Sequence, residues 1–579
     1  MTTKAALTLL SWMIWIWPFL CHNILAFSPL SATSSSSSSL PHITTRRYDF
    51  IIKTRTASRI FNNQADANAI AIANTKQSSD AVVDCCDLCI IGGGISGLSA
   101  AIEAASASKN KHHNSDRKII LLEAQTTPGG RVSSDYINGY TLDRGYAVFV
   151  EEYPQSKALI DYKALQLKAY EPGALIKIKG QEELARVADP LRQPSKLIPA
   201  LTTPVGNFAD KLKLVPLFYH VKTKSIEQLF EEDDEMDTLS CLKNKYKFSD
   251  KMIREFFEPF LVGIYFCPLD QQSSRMFHFV FKMFADGAGM LPTGGMQAVS
   301  DQLMERAIGL GVDIRLNQPV HKLVSASEED NEDEDEKKFR FSIETVHGSS
   351  ISSNAVICAM EGPNTEKLLS TMKGMEQLNL NDSDAADSQE QPQSQPQRSV
   401  GCFYYTYKGE SPVHDKVLIL NGEGMESGPA LTVSFLDRIN ESYAPEGCGL
   451  CSVSIPESYM REYIDKGSGD GDGEDDGDEE GLDKLVRKQL STWWPEYKDD
   501  ITCNKTWNLE KTYYIKQAQP GQLTGPVPAN VHGGRESSQL RGLDLPKGVY
   551  VCGDFMATAT LNGAIESGIN AASQWHHRV

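Results

Sequence analysis

The feature that constrains this chain most is a glycine-rich turn between an apolar run and an alanine-rich stretch. Residues 87–91 (DLCII) have strand composition, Gly92, Gly94 and Gly97 follow in GxGxxG spacing, and residues 98–107 are typical of a helix. The first glycine of such a turn permits a tight bend, and the second lets the backbone approach a pyrophosphate. The third lets the helix pack against the strand, and the N-terminus of that helix faces the anion.

A second predicted strand supports this interpretation of the turn. Residues 118–122 (KIILL) end at Glu123, which follows Gly97 by 26 residues because the polar stretch 109–116, predicted to be a loop, intervenes. A carboxylate at this position hydrogen-bonds the ribose hydroxyls of an adenosine and disfavours a 2′-phosphate. The two halves together predict a dinucleotide-binding domain.

The next residues resemble the flavin-containing amine oxidase superfamily, which includes amine oxidases, protoporphyrinogen oxidases and phytoene desaturases. The resemblance is carried by Glu123-Ala124, a short loop, and Gly129-Gly130-Arg131. It implies that this segment lies along the pyrophosphate and flavin of FAD. It further implies that Arg131 contacts the phosphates or the flavin edge.

The distal half of the same motif set recurs near the C-terminus. Residues 548–552 (GVYVC) form a predicted strand that leads into Gly553-Asp554, and Asn562-Gly563-Ala564 opens a predicted helix. The resemblance implies that Asp554 contacts the ribityl chain and that the helix N-terminus faces the flavin, where a positive dipole end stabilises reduced flavin. The implied FAD-binding residues are Gly92, Gly94, Ile95, Ser96, Gly97, Glu123, Ala124, Gly129, Gly130, Arg131, Val320, Gly553, Asp554, Gly563 and Ala564.

The predicted fold class is α/β: a Rossmann-like FAD-binding domain of the GR2 type with a discontinuous α+β substrate domain. The first part of the substrate domain has helical patterns, and the second part alternates like sheet strands. We expect the FAD-binding domain over 84–155, 285–365 and 540–579, the substrate domain over 156–284 and 399–539, and disordered insertions over 366–398 and 466–482.

The net charge is concentrated in three short acidic runs. The chain of 579 residues has 57 Lys+Arg against 76 Asp+Glu, a formal charge of −19. Residues 231–235, 328–336 and 470–480 contribute −21 of it, so the rest of the chain sums to +2. The balance argues against a nucleic-acid partner, because phosphate neutralisation requires Lys and Arg. We interpret the runs as solvated insertions on a nearly neutral body.

The N-terminal region has the pattern of a targeting sequence. Residues 1–26 combine Lys4, an apolar stretch and Ala26 at the cleavage position, which is typical of a secretory signal, with a membrane anchor as the alternative. Residues 27–83 begin with Phe27 and are Ser-rich, basic and poor in acids, as a transit peptide is. The combination resembles the bipartite presequences of algae with secondary plastids and predicts a plastid location; secretion with a disordered leader is the alternative.

Catalytic residues cannot be assigned from the pattern, because flavin performs the redox step itself. Three side chains remain as candidates: Tyr514 on a predicted strand near the flavin, and Arg275 and Lys282 in an aromatic-rich region. The apolar stretches 256–268 and 276–284 indicate either a tunnel for a long hydrophobic substrate or simply domain core. No metal motif is found, so no metal is predicted.

Three functions are compatible with this pattern. The first is a plastid enzyme of carotenoid biosynthesis that acts on a polyene as a desaturase, isomerase or related flavin-assisted enzyme. The second is an amine or protoporphyrinogen-type oxidase that uses O₂. The third is a non-catalytic FAD-binding assembly protein. The first would take a hydrophobic small molecule and make peripheral contact with a membrane, since no second apolar run has the length of a membrane span.

Overall fold

The computed structural model describes most of the chain after residue 83. The predicted signal and transit segments (1–26 and 27–83), the acidic run 328–336 and the larger part of both predicted insertions lie outside the described residues. The described residues are 84–110, 117–145, 148–188, 192–193, 196–325, 339–379, 397–464, 478–522 and 536–578.

A five-stranded parallel sheet, here called the dinucleotide sheet, forms the centre of the FAD-binding part. Four of its five strands are buried and consist of continuous apolar runs, as expected for a parallel sheet covered on both faces. The edge strand Asp313–Arg315 is half-buried and carries two charged side chains. All four pairings are parallel, so the carboxyl ends of the strands meet at one edge. In spatial order the strands are Asp313–Arg315, Ile119–Leu122, Leu88–Ile91, Val356–Cys358 and Val549–Val551.

A seven-stranded sheet, here called the large sheet, forms the second layer. Its pairings are antiparallel except between Gly173–Lys177 and Leu418–Asn421, which run parallel. The predicted second part of the substrate domain therefore forms strands as expected, but its first part, predicted to be helical, also contributes two. In spatial order the strands are Trp507–Pro520, Gln397–Lys408, Cys448–Pro456, Thr432–Phe435, Leu418–Asn421, Gly173–Lys177 and Ala185–Ala188.

The remaining strands form smaller sheets around these two. A four-stranded sheet joins Asp84–Cys86, Ser350–Ser353, Phe341–Thr345 and Val320–Ser325, and a three-stranded sheet joins Phe149–Val150, Gly289–Leu291 and Lys168–Ala169. Two hairpins pair Ser134–Ile137 with Tyr140–Asp143 and Gln539–Leu540 with Leu543–Asp544.

Helices cover the dinucleotide sheet and form a layer beside the large sheet. Two π-helical turns, Cys241–Lys245 and Ile253–Phe257, interrupt the helical layer. The α-helices are α1 Ile95–Asn110, α2 Pro154–Leu159, α3 Leu197–Thr202, α4 Phe208–Thr223, α5 Ile226–Phe230, α6 Thr238–Ser240, α7 Asp250–Met252, α8 Glu258–Tyr265, α9 Ser274–Asp286, α10 Gln297–Gly309, α11 Gly362–Leu369, α12 Leu436–Ile439, α13 Glu457–Tyr463, α14 Glu479–Trp493, α15 Lys498–Ile501 and α16 Leu561–Arg578.

Close packing of α1 and α16 depends on glycine. A Cβ on Gly568 of α16 would lie 2.2 Å from the carbonyl oxygen of Ser96 on α1, so only glycine permits this approach. The two helices bring the predicted first and last motifs of the sequence to the same side of the dinucleotide sheet.

The α/β fold class is confirmed, but the predicted insertions begin and end elsewhere. Residues 366–379 are not a disordered insertion, because Leu369, Met372 and Leu378 are buried in the core beside the dinucleotide sheet. Asp478 caps α14 by accepting from the Gly481 amide, so the second insertion ends before residue 478. The domain boundaries themselves stay a prediction. Among the described residues, no helix has the length and apolar composition needed to cross a bilayer.

Candidate active site

A cavity of about 990 Å³ lies at the carboxyl ends of the dinucleotide strands. Ligands in open α/β sheets bind at this edge. All the predicted FAD-binding residues line the cavity except Gly97 and Gly563: Gly92, Gly94, Ile95, Ser96, Glu123, Ala124, Gly129, Gly130, Arg131, Val320, Gly553, Asp554 and Ala564. Motifs more than 400 residues apart in the chain are thus brought to one site.

The glycine loop has the geometry that its spacing predicts. Gly92 has φ of 110°, and a Cβ there would lie 2.6 Å from the Ala359 carbonyl oxygen. A Cβ on Gly97 would lie 2.0 Å from the Gly92 carbonyl oxygen. Gly97 therefore acts by allowing α1 to pack on the loop, which is why it does not itself line the cavity.

Gly94 and Gly130 leave an open cradle in the cavity wall. No protein atom lies closer than 4.0 Å to a Cβ built on Gly94, or closer than 3.8 Å to one built on Gly130. The two segments are tied together, since the Gly129 amide donates to the Gly93 carbonyl at 2.9 Å. Side chains at these positions would fill space that is open beside the N-terminus of α1, where a pyrophosphate is favoured.

Glu123 is placed at the end of its strand by hydrogen bonds to the backbone. One carboxylate oxygen accepts from the Gly93 amide at 2.6 Å and the other from the Gln125 amide at 2.8 Å. The Gln318 amide donates to the Glu123 carbonyl at 2.8 Å, which brings the segment holding Val320 beside it. A carboxylate oxygen accepts more than one hydrogen bond, so ribose hydroxyls can still be bound.

Arg131 and Asp554 form a bidentate ion pair in the cavity wall. The Arg131 guanidinium donates to the two Asp554 oxygens at 2.8 and 2.9 Å and to the Ala518 carbonyl at 2.9 Å. Burial opposes the charge on Arg131, but the Asp554 carboxylate outweighs it and raises the pKa of the guanidinium. The pair connects the first motif to the last one and supplies both a cation and an anion to the site.

The start of α16 also contributes to the cavity, by residues that lie between the predicted ones. Ala559, Thr560 and Leu561 line the cavity beside Ala564. The Thr560 hydroxyl accepts from the Gly563 amide at 3.1 Å, and a Cβ on Gly563 would lie 2.0 Å from the Thr558 carbonyl oxygen. Gly563 is therefore required by the helix start and not by ligand contact.

Asp143 joins the cavity wall to the large sheet. Its carboxylate is buried and accepts from the Ser134 hydroxyl, the Met296 amide and the Tyr443 hydroxyl at 2.6 to 3.0 Å. Burial raises the pKa of Asp143 even though these hydrogen bonds favour its charged form. The following residue, Arg144, pairs with Asp135 at 2.9 Å and lines the cavity.

The part of the cavity beneath α8 and α9 is apolar. Arg144 is the charged residue next to this part; the other charged residues that line the cavity are Glu123, Arg131 and Asp554 of the predicted motifs, and Glu361 and Lys367 at α11. Of the two apolar stretches predicted to be either tunnel or core, most side chains pack in the core and a few line the cavity. The apolar lining comes from Val148, Val150, Tyr153, Phe260, Gly263, Ile264, Tyr265, Phe266, Val280, Phe284, Leu418 and Leu420.

The structure places Tyr514 outside the cavity although its strand is correctly predicted. Tyr513 and Ile515 pack against one face of the large sheet, whereas Tyr514 packs on the opposite face with Leu509. Successive side chains alternate across a strand, so Ile515 lines the cavity instead. Ala518 and Gln519 also line it, beyond an irregularity in the pairing opposite Arg398 and Val400. The sequence located the strand, but only the register decided which residue faces the site.

Arg275 and Lys282 are also outside the cavity and have structural partners. The Arg275 guanidinium lies 3.3 Å from Glu235 and donates to the Glu232 carbonyl at 2.6 Å. Lys282 donates to the Val221 carbonyl at 2.9 Å and lies 3.2 Å from Asp286. Both cations fasten α9 to its neighbours, so the structure gives them no role at the flavin.

These contacts correct the interpretation of residues 231–235 as solvated for Glu232 and Glu235, whereas Glu231, Asp233 and Asp234 are exposed as expected. Glu232 is only 8% exposed and lies 2.8 Å from His220, 2.5 Å from Lys224 and 3.2 Å from Lys245. Burial disfavours its charge, but His220 and the two lysines lower the pKa of Glu232 well below its usual range. The run is acidic because it balances cations of α4 and the neighbouring turn.

His220, Glu232 and His278 could in principle hold a metal ion, because their ligand atoms lie within 4.8 Å of one another. Lys224 and Lys245 already neutralise the Glu232 carboxylate, which disfavours a divalent cation. Burial, with the positive charge of His220 and Lys245, lowers the pKa of His278 to about 3. We interpret the group, here called the histidine–glutamate cluster, as a buried ion-pair network.

Comparison with known proteins identifies the class of protein. The family model for flavin-containing amine oxidoreductases matches residues 95–574, so the chain belongs to that family. Coproporphyrinogen III oxidase from Propionibacterium freudenreichii is 23% identical over 197 residues, 32% of this chain and 33% of the relative. The Bacillus subtilis enzyme of the same name is 26% identical over 192 residues, 32% of this chain and 37% of the relative. The chain thus matches about a third of the length of these curated relatives.

Solved structures agree on the fold. Wild-type putrescine oxidase bound to putrescine is similar with a TM-score of 0.58 and 16% identity, covering 85% of this chain and 99% of that one. Reduced UDP-galactopyranose mutase is similar with a TM-score of 0.52 and 14% identity, covering 85% and 96%. The protein is a FAD-dependent oxidoreductase.

The residues of the site fit FAD. The open cradle at Gly94 and Gly130, the carboxylate of Glu123 and the Arg131–Asp554 pair offer what a pyrophosphate, a ribose and a ribityl chain require. When bound, FAD accepts the hydrogen equivalents removed from a substrate. The chain supplies binding, orientation and exclusion of water.

Proposed function

We propose that this enzyme uses FAD to dehydrogenate or rearrange a long apolar substrate, a polyene of the carotenoid type. The observation that carries the proposal is the apolar lining beneath α8 and α9, which includes Tyr153, Phe260, Phe266 and Phe284. Such a surface binds an uncharged hydrocarbon by burial alone and offers few polar groups to fix a polar one. Desaturation, isomerisation and related flavin-assisted reactions all suit this lining.

The proposal includes a plastid location, where the presequence-like residues 1–83 would direct the chain. It also includes peripheral contact with a membrane, because an apolar polyene dissolves in lipid rather than in water. The plastid location and the membrane contact do not depend on the apolar lining of the cavity. An experiment can therefore disprove either of them without disproving the polyene substrate.

Pigment analysis of a strain in which the gene is disrupted tests the proposal. We expect one polyene to accumulate and a later pigment to be lost, and complementation should restore the profile. An unaltered carotenoid profile would contradict the polyene assignment. Anaerobic mixing of the purified holoenzyme with candidate polyenes gives a second readout, since a true substrate bleaches the flavin absorbance.

Oxidation of a porphyrinogen is the second candidate, because both curated relatives are coproporphyrinogen III oxidases. The substrate of those relatives bears several carboxylates, which would need cations. Of the lysines and arginines that line the cavity, Arg131 already pairs with Asp554 and Arg144 with Asp135, which leaves Lys367. The same anaerobic assay with coproporphyrinogen and protoporphyrinogen decides between the candidates. Rapid bleaching by a porphyrinogen but not by any polyene would favour this second function.

A further inference from the structure

Exposed apolar side chains are concentrated on the neighbouring helices α3 and α4. Ile198 on α3 is 67% exposed, and on α4 Phe208 is 50%, Val215 50% and Tyr219 62% exposed. Large hydrophobic side chains elsewhere in the described residues that are this exposed, such as Ile308 and Val346, stand singly. A cluster of this kind marks an interaction surface, whereas single exposed hydrophobics need no explanation.

Helix α4 is apolar on two opposite faces. On its inner face Leu217 and Val221 are fully buried, and the Phe218 ring lies 5.2 Å from that of Phe281. Phe208, Val215 and Tyr219 are spaced by seven and four residues, so they share the outer face. A second apolar face on a helix usually packs against something, and no described residue covers the outer face of α4.

The charge around this face is positive, in contrast to the chain as a whole. Residues 192–224 contain six basic residues and one acid, in a protein whose net charge is −19. The single acid, Asp210, is fully buried and is held by Ser249, Asn207 and Lys213. Two of the lysines pair with acids of other segments, Lys222 with Asp286 and Lys224 with Glu232. Six basic residues against Asp210 and these two acids leave a net charge of +3, which favours an anionic surface.

Helix α4 also lies directly behind the apolar part of the cavity. It packs on α9, where Lys222 donates to the Ala285 carbonyl at 2.7 Å and Lys282 donates to the Val221 carbonyl. Val280 and Phe284 of α9 line the cavity. One helix layer thus separates the exposed apolar face from the proposed substrate site.

We propose that the outer faces of α3 and α4 dock on an anionic lipid bilayer. Ile198, Phe208, Val215 and Tyr219 insert at the boundary of headgroups and acyl chains, and the net positive charge of the segment 192–224 attracts the anionic headgroups. Apolar insertion and anionic attraction are the two terms that hold an interfacial helix on a membrane. The inference deepens the proposed function, since an apolar substrate would be taken up from that bilayer.

Co-sedimentation of the full-length holoprotein with vesicles tests the surface. The vesicles contain phosphatidylcholine with about one-third phosphatidylglycerol, at about 0.1 M salt, or phosphatidylcholine alone. The test variant is Phe208→Ser/Val215→Ser/Tyr219→Ser, and Ile308→Ser/Val346→Ser is the matched control. Flavin absorbance shows that each variant remains folded, and Val215→Ser alone replaces the triple variant if that protein fails to fold.

We expect more than tenfold weaker partitioning for the triple variant on anionic vesicles and unchanged partitioning for the control. Hydrogen exchange should slow over 208–223 when anionic vesicles are added, which locates the contact independently of residues 1–83. Unaltered exchange over 208–223, equal partitioning of both variants, or a dimer that the triple variant dissociates would overturn the inference. These readouts involve no turnover, so a wrong substrate assignment would leave them unaffected.

Discussion

At the cofactor end of the cavity, Gly94 and Gly130 leave open space beside their Cα atoms. In the histidine–glutamate cluster, by contrast, the side chains of His220, Glu232 and His278 lie within 4.8 Å of one another. In the first region, glycines leave room for a ligand, and backbone amides at the N-terminus of α1 face that room. In the second, most of the polar groups already have a partner within the protein. A charged group, or one with a shifted pKa, therefore indicates a ligand site only when it borders open space. Arg275, a candidate from the sequence, does not line the cavity.

The largest effect is expected where the glycine loop allows no side chain. Gly97→Ala would place a Cβ 2.0 Å from the Gly92 carbonyl oxygen, so we expect a loss of about 3 kcal/mol in the free energy of unfolding and loss of FAD. Urea denaturation with flavin absorbance measures both. Gly309→Ala is the control, because no atom lies within 4 Å of its Cβ. Equal stability of the two variants would show that the loop is not sterically constrained.

The histidine–glutamate cluster should depend on one carboxylate. Glu232→Gln keeps the shape but leaves Lys224, Lys245 and His220 without their anion, and we expect a loss of about 1.5–3 kcal/mol in thermal or urea denaturation. The control is Glu344→Gln, since the exposed Lys322–Glu344 pair should contribute less than about 1 kcal/mol. Similar losses of stability in Glu232→Gln and Glu344→Gln would show that the Glu232 carboxylate contributes no more than a solvated one.

The ribose role of Glu123 gives an intermediate effect. Glu123→Ala removes the acceptor for the Gly93 and Gln125 amides as well as for the ribose, so FAD retention should fall about tenfold. Glu123→Gln keeps an acceptor for the loop amides, so FAD retention should fall less in this variant than in Glu123→Ala. Gel filtration with dilution measures the retained flavin, and Glu305→Ala on α10 is the control. Full retention in Glu123→Ala would contradict the ribose assignment.

The buried histidine predicts a pH dependence of stability. The pKa of His278 falls from about 6.5 in the unfolded chain to about 3 in the folded protein, so the unfolded state binds more protons between these values. Stability should be fully present above pH 6.5 and should fall as the pH drops toward 3. His278→Gln should remove this dependence, so the difference in the free energy of unfolding between wild type and variant should change as the pH falls from 6.5 toward 3. Parallel curves would show that His278 is solvated.

The smallest effect is expected at the misplaced aromatic candidate. Tyr514 faces away from the cavity, so Tyr514→Phe should change turnover less than about twofold. Ile515→Ala, one residue further, removes a cavity-lining side chain and should raise KM more than it lowers kcat. A large loss of kcat in Tyr514→Phe would contradict the placement of Tyr514 on the face of the large sheet that points away from the cavity.

The sequence by itself determined the cofactor end of this protein. GxGxxG spacing, Glu123, the Gly129–Arg131 segment and Gly553-Asp554 are short-range patterns that follow from local backbone requirements, and the structure brings them together along one cavity. The parallel strands were equally readable, because strands buried on both faces are continuous apolar runs.

Only the tertiary structure determined which side chains line the apolar part of the cavity and which charged groups form ion pairs. Whether Phe260 faces the cavity and Phe257 the core, or Ile515 the site and Tyr514 the opposite layer, depends on register and on the packing of distant elements. The acidic run 231–235 is paired with α4 and the following turn only after folding brings His220, Lys224 and Lys245 around Glu232. The composition gives the number of charged residues, but it does not show which of them form ion pairs, because ion pairing depends on contacts between residues distant in the sequence.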